Sequence, residues 1–468
     1  MECERGAVER RERRRLCDGQ APGKLRALLI AISHVMSNAR VILVALICAS
    51  PAVLLFDGPI MDGLVAGVTA VGIAIVSRRM RPRETEFFLT IALPVAALVV
   101  VPVLWMLIQV LPVRALAHPI WTSAEAALGH PIAGAISIDL GAGVMAVGQY
   151  LTIVAIGFWS AAVAVDRQRA EWILFSLMAG TALIGLTVAA NELLGLNLLN
   201  ASAALFKRTQ AIDCVAMGVI IAAAATIRTL ERYETRHASP DRSVSTLLRT
   251  LAACIAALVV CAIALMLSAP VAARVATGYG VAALAAVVTI RRLGLGPWGA
   301  TAIALPVILT VVFLAAGESG LRTKSFTLAF ATQVPASLIS MSQRILEDAP
   351  LTGTGAGTFA AIAPIYRDVG DEVAHFTAPT AAAVVVIELG RPILPIIVAT
   401  VIGAIVILFR ASLRRGRDSF YPAAGASCLI TLLFLCFMNA GALGTAAAMI
   451  AVATLGLAFA QSKSRPVQ

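Results

Sequence analysis

Residues 87–112 read FFLTIALPVAALVVVPVLWMLIQVLP, a run without a formally charged side chain. A helix needs roughly 17 to 25 such residues to cross about 30 Å of bilayer hydrocarbon. Runs of this kind recur along nearly the whole chain, and that recurrence decides the fold class. In hydrocarbon every backbone N–H and C=O must find a partner within the chain, so the spans are helices, and the alternating pattern of a membrane barrel is absent. Composition agrees: of 468 residues, 59% are hydrophobic and 13% charged, with a mean hydropathy of +0.90. The expectation is an all-α polytopic membrane protein, and a soluble globular chain is excluded.

Spans are expected near 40–57, 60–77, 87–112, 141–165, 170–190, 211–228, 247–268, 272–290, 297–317, 391–409, 420–438 and 441–460, about twelve crossings. The chain then divides into a basic N-terminal segment (1–39), nine spans (40–317), a long loop (318–390), three spans (391–460) and a tail (461–468). The formal charge is +11 and the pI about 9.7. The basic residues fall in short clusters between apolar runs, which is a topology signal and not a nucleic-acid footprint. Arg78, Arg79, Arg81 and Arg83, then Arg167 and Arg169, Arg228, Arg232, Arg236 and Arg242, Arg291 and Arg292, and Arg410, Arg414, Arg415 and Arg417 all fall on the same side. The positive-inside rule makes that side cytoplasmic, with both termini on it. The N-terminal ERGAVERRERRRLCDGQAPGK lacks the apolar core and cleavage site of a signal peptide. The eight cysteines lie in that segment or inside apolar runs without CxxC spacing, so they read as small buried hydrophobes.

Three segments face the other side: 113–140, 191–210 and 318–390. In the longest, GLRTKSFTLAFATQVPASLISMSQRILEDAP mixes apolar and polar residues at near-helical spacing, as an interfacial helix does. HFTAPTAAAVVVIELGRP is apolar but too short to cross before Gly390 and Pro392, and is expected to form a partial or re-entrant helix.

Between these lies LEDAPLTGTGAGTF, residues 346–359. It is not a dinucleotide loop, which follows a strand, nor a P-loop, which carries a lysine after its last glycine. A flexible turn is one reading of Gly353, Gly355 and Gly357; glycines that let the backbone approach a ligand are the other. The outer segments also carry Lys207, Arg208, Arg274, Arg322, Lys324, Arg344 and Arg367. Singly, such residues solvate or touch lipid headgroups; together they form an anion-binding candidate, since the planar arginine fork suits phosphate. Of the histidines His34, His118, His130, His237 and His375, the last lies in the long segment, where it is a candidate base toward a hydroxyl. Glu372 and His375 have helical ligand spacing but no second pair, so no metal is expected. Charged residues within the spans are few, and Asp213, Arg274, Asp62 and Arg249 all lie toward span ends. A proton- or ion-coupled transporter instead places them near the midplane.

The stretch RILEDAPLTGTGAGTFAAIAPIYR resembles the hallmark region of the O-antigen ligase and polysaccharide polymerase family: Arg344, Pro350-Leu351, Gly353, Gly355, Gly357, Phe359 and Tyr366. Arg322 in GLRTKSF stands where that family has a further arginine, and WMLIQVLP and ISIDLGAGV are similar to segments flanking the first long outer loop of some members. The resemblance implies a membrane-embedded, cofactor- and metal-independent glycosyltransferase of the Gram-negative inner membrane. It would take a glycan from undecaprenyl pyrophosphate to another saccharide or to a lipid A-core acceptor, among membrane lipids and other envelope polysaccharide assembly proteins. It implies pyrophosphate-binding roles for Arg322, Arg344 and Arg208, and a histidine that assists the hydroxyl. The family spacing counted back from Glu388 lands on Pro379, whereas His375 lies four residues earlier, about one helical turn. Two other functions compete: a secondary transporter or lipid-linked oligosaccharide flippase, and a non-catalytic envelope scaffold.

Overall fold

The computed structural model describes residues 39–80, 82–196, 204–236, 244–293, 326–331, 334–367, 377–414 and 418–463. Among them there is no strand, and nine helices are long and apolar enough to cross a membrane. The protein is an all-α, multi-pass membrane protein.

The first expected span forms in two pieces, α1 (Ala39–Cys48) and α2 (Ser50–Leu55), because Pro51 lacks an N–H and is accommodated only in the first turn of a new helix. There follow α3 (Pro59–Arg79), α4 (Pro82–Val110), the short α5 (Ile120–Leu128) within the first long connection, α6 (Leu140–Ala164) and α7 (Arg167–Leu194). Next come α8 (Ala204–Arg236), α9 (Val244–Ser268) and α10 (Val271–Arg292). The expected span 297–317 lies outside the described residues. The chain continues with α11 (Ala336–Asp348), α12 (Phe359–Ile362), α13 (Ala381–Leu389), α14 (Ile393–Arg414), α15 (Phe420–Met438) and α16 (Thr445–Ala460). This last helix is shorter than expected because Gly441–Leu443 form a separate 3-10 turn before it.

Burial sorts the helices into a core and a rim. The apolar window of α8 is 83% buried inside the protein, against 11% for α4 and for α14. Lipid solvates apolar surface as well as protein does, so the more apolar α4 and α14 turn broad faces outward, while α8, which carries Gln210 and Asp213, is the central pillar. Small residues permit the tight crossings: a side chain on Gly456 of α16 would overlap the Gly157 carbonyl of α6.

Contacts at the helix termini define two ends of the bundle. At one end Arg167 pairs with Asp418 at 2.8 Å, Arg228 and Arg232 both pair with Glu171, and Arg291 pairs with Glu231 at 3.7 Å. Arg228, only 3% exposed, also stacks 5.3 Å from the Phe420 ring centroid. At the other end Asp62 of α3 accepts from Thr445 of α16 at 2.6 Å, and Gln149 of α6 donates to the same Thr445 at 3.0 Å.

That second end carries a small separate core. α11 buries Leu338, Met341, Ile345 and Leu346, one face at helical spacing, against Phe359, Ile362, Val386 and Ile387. Over Ala336–Asp348 the amphipathic pattern read in the sequence is a helix with a packed stripe, while 326–330 form a turn. α13, nine residues long, is the expected partial helix. Thr380 caps it, accepting from Ala383 N at 3.1 Å, and Ala381 N donates to Asn439 O beyond α15 at 2.9 Å. Its far end meets Trp105 of α4, whose Nε1 donates to Leu389 O at 2.7 Å. α13 therefore lies across the bundle end, and Gly390 (φ +96°) turns the chain into α14.

Candidate functional site

The glycine loop wraps the C-terminus of α13. Gly353, Gly355 and Gly357 have φ of +81°, +108° and +75°, a region that L-residues rarely enter. Close approach to the chain itself requires them. A Cβ on Gly353 would overlap the Glu388 carbonyl oxygen, one on Gly355 would overlap Ser137, and one on Gly357 would sit 2.9 Å from Ala142 O. The space beside these glycines is filled by protein.

The loop's donors are used in the same way. The last four carbonyls of a helix have no partner within it, and here each finds one. Gly390 N donates to Val386 O at 3.1 Å, Thr354 N to Ile387 O at 2.9 Å and Gly355 N to Glu388 O at 3.0 Å, and Trp105 takes Leu389 O. Gln109 of α4, fully buried, adds bonds to Glu388 O at 2.8 Å and Thr352 O at 2.9 Å. Ser137 N in turn donates to Gln109 O at 2.9 Å and Ile138 N to Thr354 O at 3.0 Å.

Two further N–H groups of the loop, those of Gly357 and Phe359, form an anion-binding concavity whose anion is the chain's own. Gly357 N donates to Glu388 Oε2 at 2.8 Å and Phe359 N to Oε1 at 3.0 Å. Burial pushes the Glu388 carboxyl from 4.5 up to about 7, against the pull of these two bonds. The side chain is only partly buried, and Gly357 beside it is exposed.

Arg344 stands on the exposed face of α11, and its Nη2 donates to Tyr366 O at 2.8 Å. The Tyr366 hydroxyl bonds Asp348 and is raised by burial, then by that bond and charge. Arg367 follows on the surface. Arg344, Tyr366 and the three glycines thus belong to one folded unit, as their shared sequence stretch suggests. The other basic candidates stand elsewhere at the same bundle end. Lys207 donates to Leu55 O at 3.0 Å and its charge offsets Asp57, which burial and Asp62 raise. Arg208 pairs with Glu192 at 3.1 Å. The described partners of these two lie near α2 and on α7, away from the glycine loop. Arg274 begins α10, beside a small cavity walled by Phe206, Thr209, Pro270, Ala273, Pro379 and Asn439. Arg322, Lys324 and His375 lie outside the described residues.

No family model and no curated protein matches this chain.

Sequence reasoning did not select Glu388 and Gln109 as site residues, although each carries a signal. Glu388 is a carboxylate in the otherwise apolar AAAVVVIEL, and Gln109 is a lone amide near the end of a charge-free span. A polar side chain in such a place needs a partner to offset its burial. Among the described residues, no group of three or more His, Cys, Asp or Glu gathers as a metal site.

Proposed function

We propose that the protein is a membrane glycosyltransferase of the O-antigen ligase and polysaccharide polymerase type. It moves a glycan from undecaprenyl pyrophosphate to a saccharide or lipid A-core hydroxyl on the outer face of a bacterial inner membrane. One observation carries this reading: Arg344 and the G-x-G-x-G-x-F loop fold as one unit, at the bundle end opposite the paired arginines of α7, α8 and α10. The positive-inside rule assigns the paired arginines to the cytoplasm and the loop to the outer face.

The chemistry asks little of the protein beyond placement and charge. A lipid pyrophosphate is an activated leaving group, so holding its developing charge and orienting the acceptor supplies much of the acceleration. The loop N–H groups of Gly357 and Phe359 are taken by Glu388, so the pyrophosphate falls to arginines, Arg344 first and Arg322 with it.

Purified chain in nanodiscs is given undecaprenyl-pyrophosphate glycan, and both transferred glycan and released lipid pyrophosphate are measured. The expected result is release in step with transfer, and a loss of about 100-fold or more in R344A and R322A. Wild-type protein that releases no lipid pyrophosphate overturns the proposal; well-folded R344A that transfers at the wild-type rate removes Arg344 from it.

A further inference from the structure

We infer that Glu388 accepts the proton of the incoming sugar hydroxyl. This role rests on the transfer reading above and adds a named base to it.

The main chain holds the Glu388 carboxylate in one place. Each oxygen takes one backbone N–H, from Gly357 and from Phe359. A carboxylate oxygen offers two lone-pair sites, so each keeps one for a further donor. The two bonds hold the group in one orientation without neutralising it, because both donors are uncharged amides. The residue keeps solvent-accessible surface, and Gly357 and Ala360 beside it are exposed, so a hydroxyl can reach it. Glu388 sits on the folded unit that bears Arg344, since α11, α12 and α13 share one small core.

The surroundings supply the basicity. Burial raises the carboxyl to about 7, which makes it a stronger base than an ordinary carboxylate while much of it stays ionised at neutral pH. The charged and titratable groups on the elements packed around it are engaged elsewhere. Arg391 donates to Leu346 O at 2.9 Å, Asp139 caps α6 by accepting from Ala142 N at 3.0 Å, Arg344 donates to Tyr366 O, and Asp348 bonds the Tyr366 hydroxyl. Glu347 accepts from Gln343 at 3.3 Å on the outer face of α11, and Arg367 lies on the surface beyond Tyr366.

The step balances without a cofactor. The acceptor oxygen forms a bond to the anomeric carbon while the bond from that carbon to the pyrophosphate oxygen breaks. The bonding pair leaves with undecaprenyl pyrophosphate, and the hydroxyl proton passes to Glu388 and then to water.

The test is the pH dependence of kcat/KM for wild type, E388Q and T358V in nanodiscs, with undecaprenyl-pyrophosphate glycan as donor. Thr358 braces the loop through Gly355 O but carries no titrating group, so T358V reports on loosening alone. Expected are a wild-type rate that rises through an inflection near 7, the same inflection in T358V, and a loss of about 100-fold or more with no inflection in E388Q. E388Q within a few-fold of wild type, or E388Q with the inflection intact, overturns the role while leaving glycosyl transfer standing. A wild-type profile flat across neutral pH overturns it even if E388Q fails to fold. A wild-type chain that transfers nothing overturns the transfer reading, and this role with it.

Discussion

At one end of the bundle Arg228, Arg232 and Glu171 answer charge with charge. At the other, Thr354, Gly355, Gly357 and Phe359 answer the end of α13 with backbone N–H groups and three left-handed glycines. In the first region side chains do the work, so any residue of the right charge and reach can serve. In the second the main chain does it, and only its particular course between Ser137, Ala142 and Glu388 brings the donors into line. A paired-charge end tolerates conservative exchange; a backbone-wrapped end tolerates little.

The sharpest way to break that contrast is Gly355→Val. A side chain there meets Ser137 and forces a β-branched residue into φ +108°, at a cost of about 4 kcal/mol. Thermal unfolding in detergent would register it, and a variant as stable as wild type would show that the loop has another course open to it. Glu171→Ala is next. It strands Arg228, which is 3% exposed, without its counter-charge and costs about 3 kcal/mol, whereas Glu171→Asp should recover part of that loss by the same unfolding assay. Gln109→Ala removes two bonds to carbonyls at the loop end and costs about 2 kcal/mol.

The fourth test is a pH effect. The Glu388 carboxyl rises from 4.5 to about 7 in the fold, so the folded chain holds a proton that the unfolded chain gives up. Its contribution to stability is full below the lower value and lost as pH climbs through the higher one. The unfolding midpoint of wild type should therefore decline over that interval, and E388Q should lack that component of the slope.

Much of the bundle is legible in the sequence because hydrocarbon imposes length and composition directly. The run read at 60–77 is α3 at Pro59–Arg79, and the one at 420–438 is α15 at Phe420–Met438. The divided first span and the late start of α16 escaped, since each depends on one local feature, Pro51 and the turn at Gly441–Leu443, inside an apolar run. The loop was legible as a special stretch but not as a wrapped helix end. Its partners come from WMLIQVLP and ISIDLGAGV, through Trp105, Gln109, Ser137 and Ile138. Gln109 and Glu388 stand 279 residues apart, and no local pattern records a bond over that distance.

The wrapped end of α13 also bears on how such a chain can change over evolutionary time. Thr354 O is held by Ile138, Gly355 lies against Ser137, and Gln109 ties α4 to both Thr352 and Glu388. A substitution in any one of these three segments meets the other two at once. The end of α4 with the strand of chain before α6, the glycine loop, and the last turn of α13 should therefore drift as a set. In an alignment of descendants, exchanges at Ser137, Gln109 and Glu388 should appear together or not at all, while the exposed members of the charge pairs at the far end, such as Arg232, exchange for lysine one at a time.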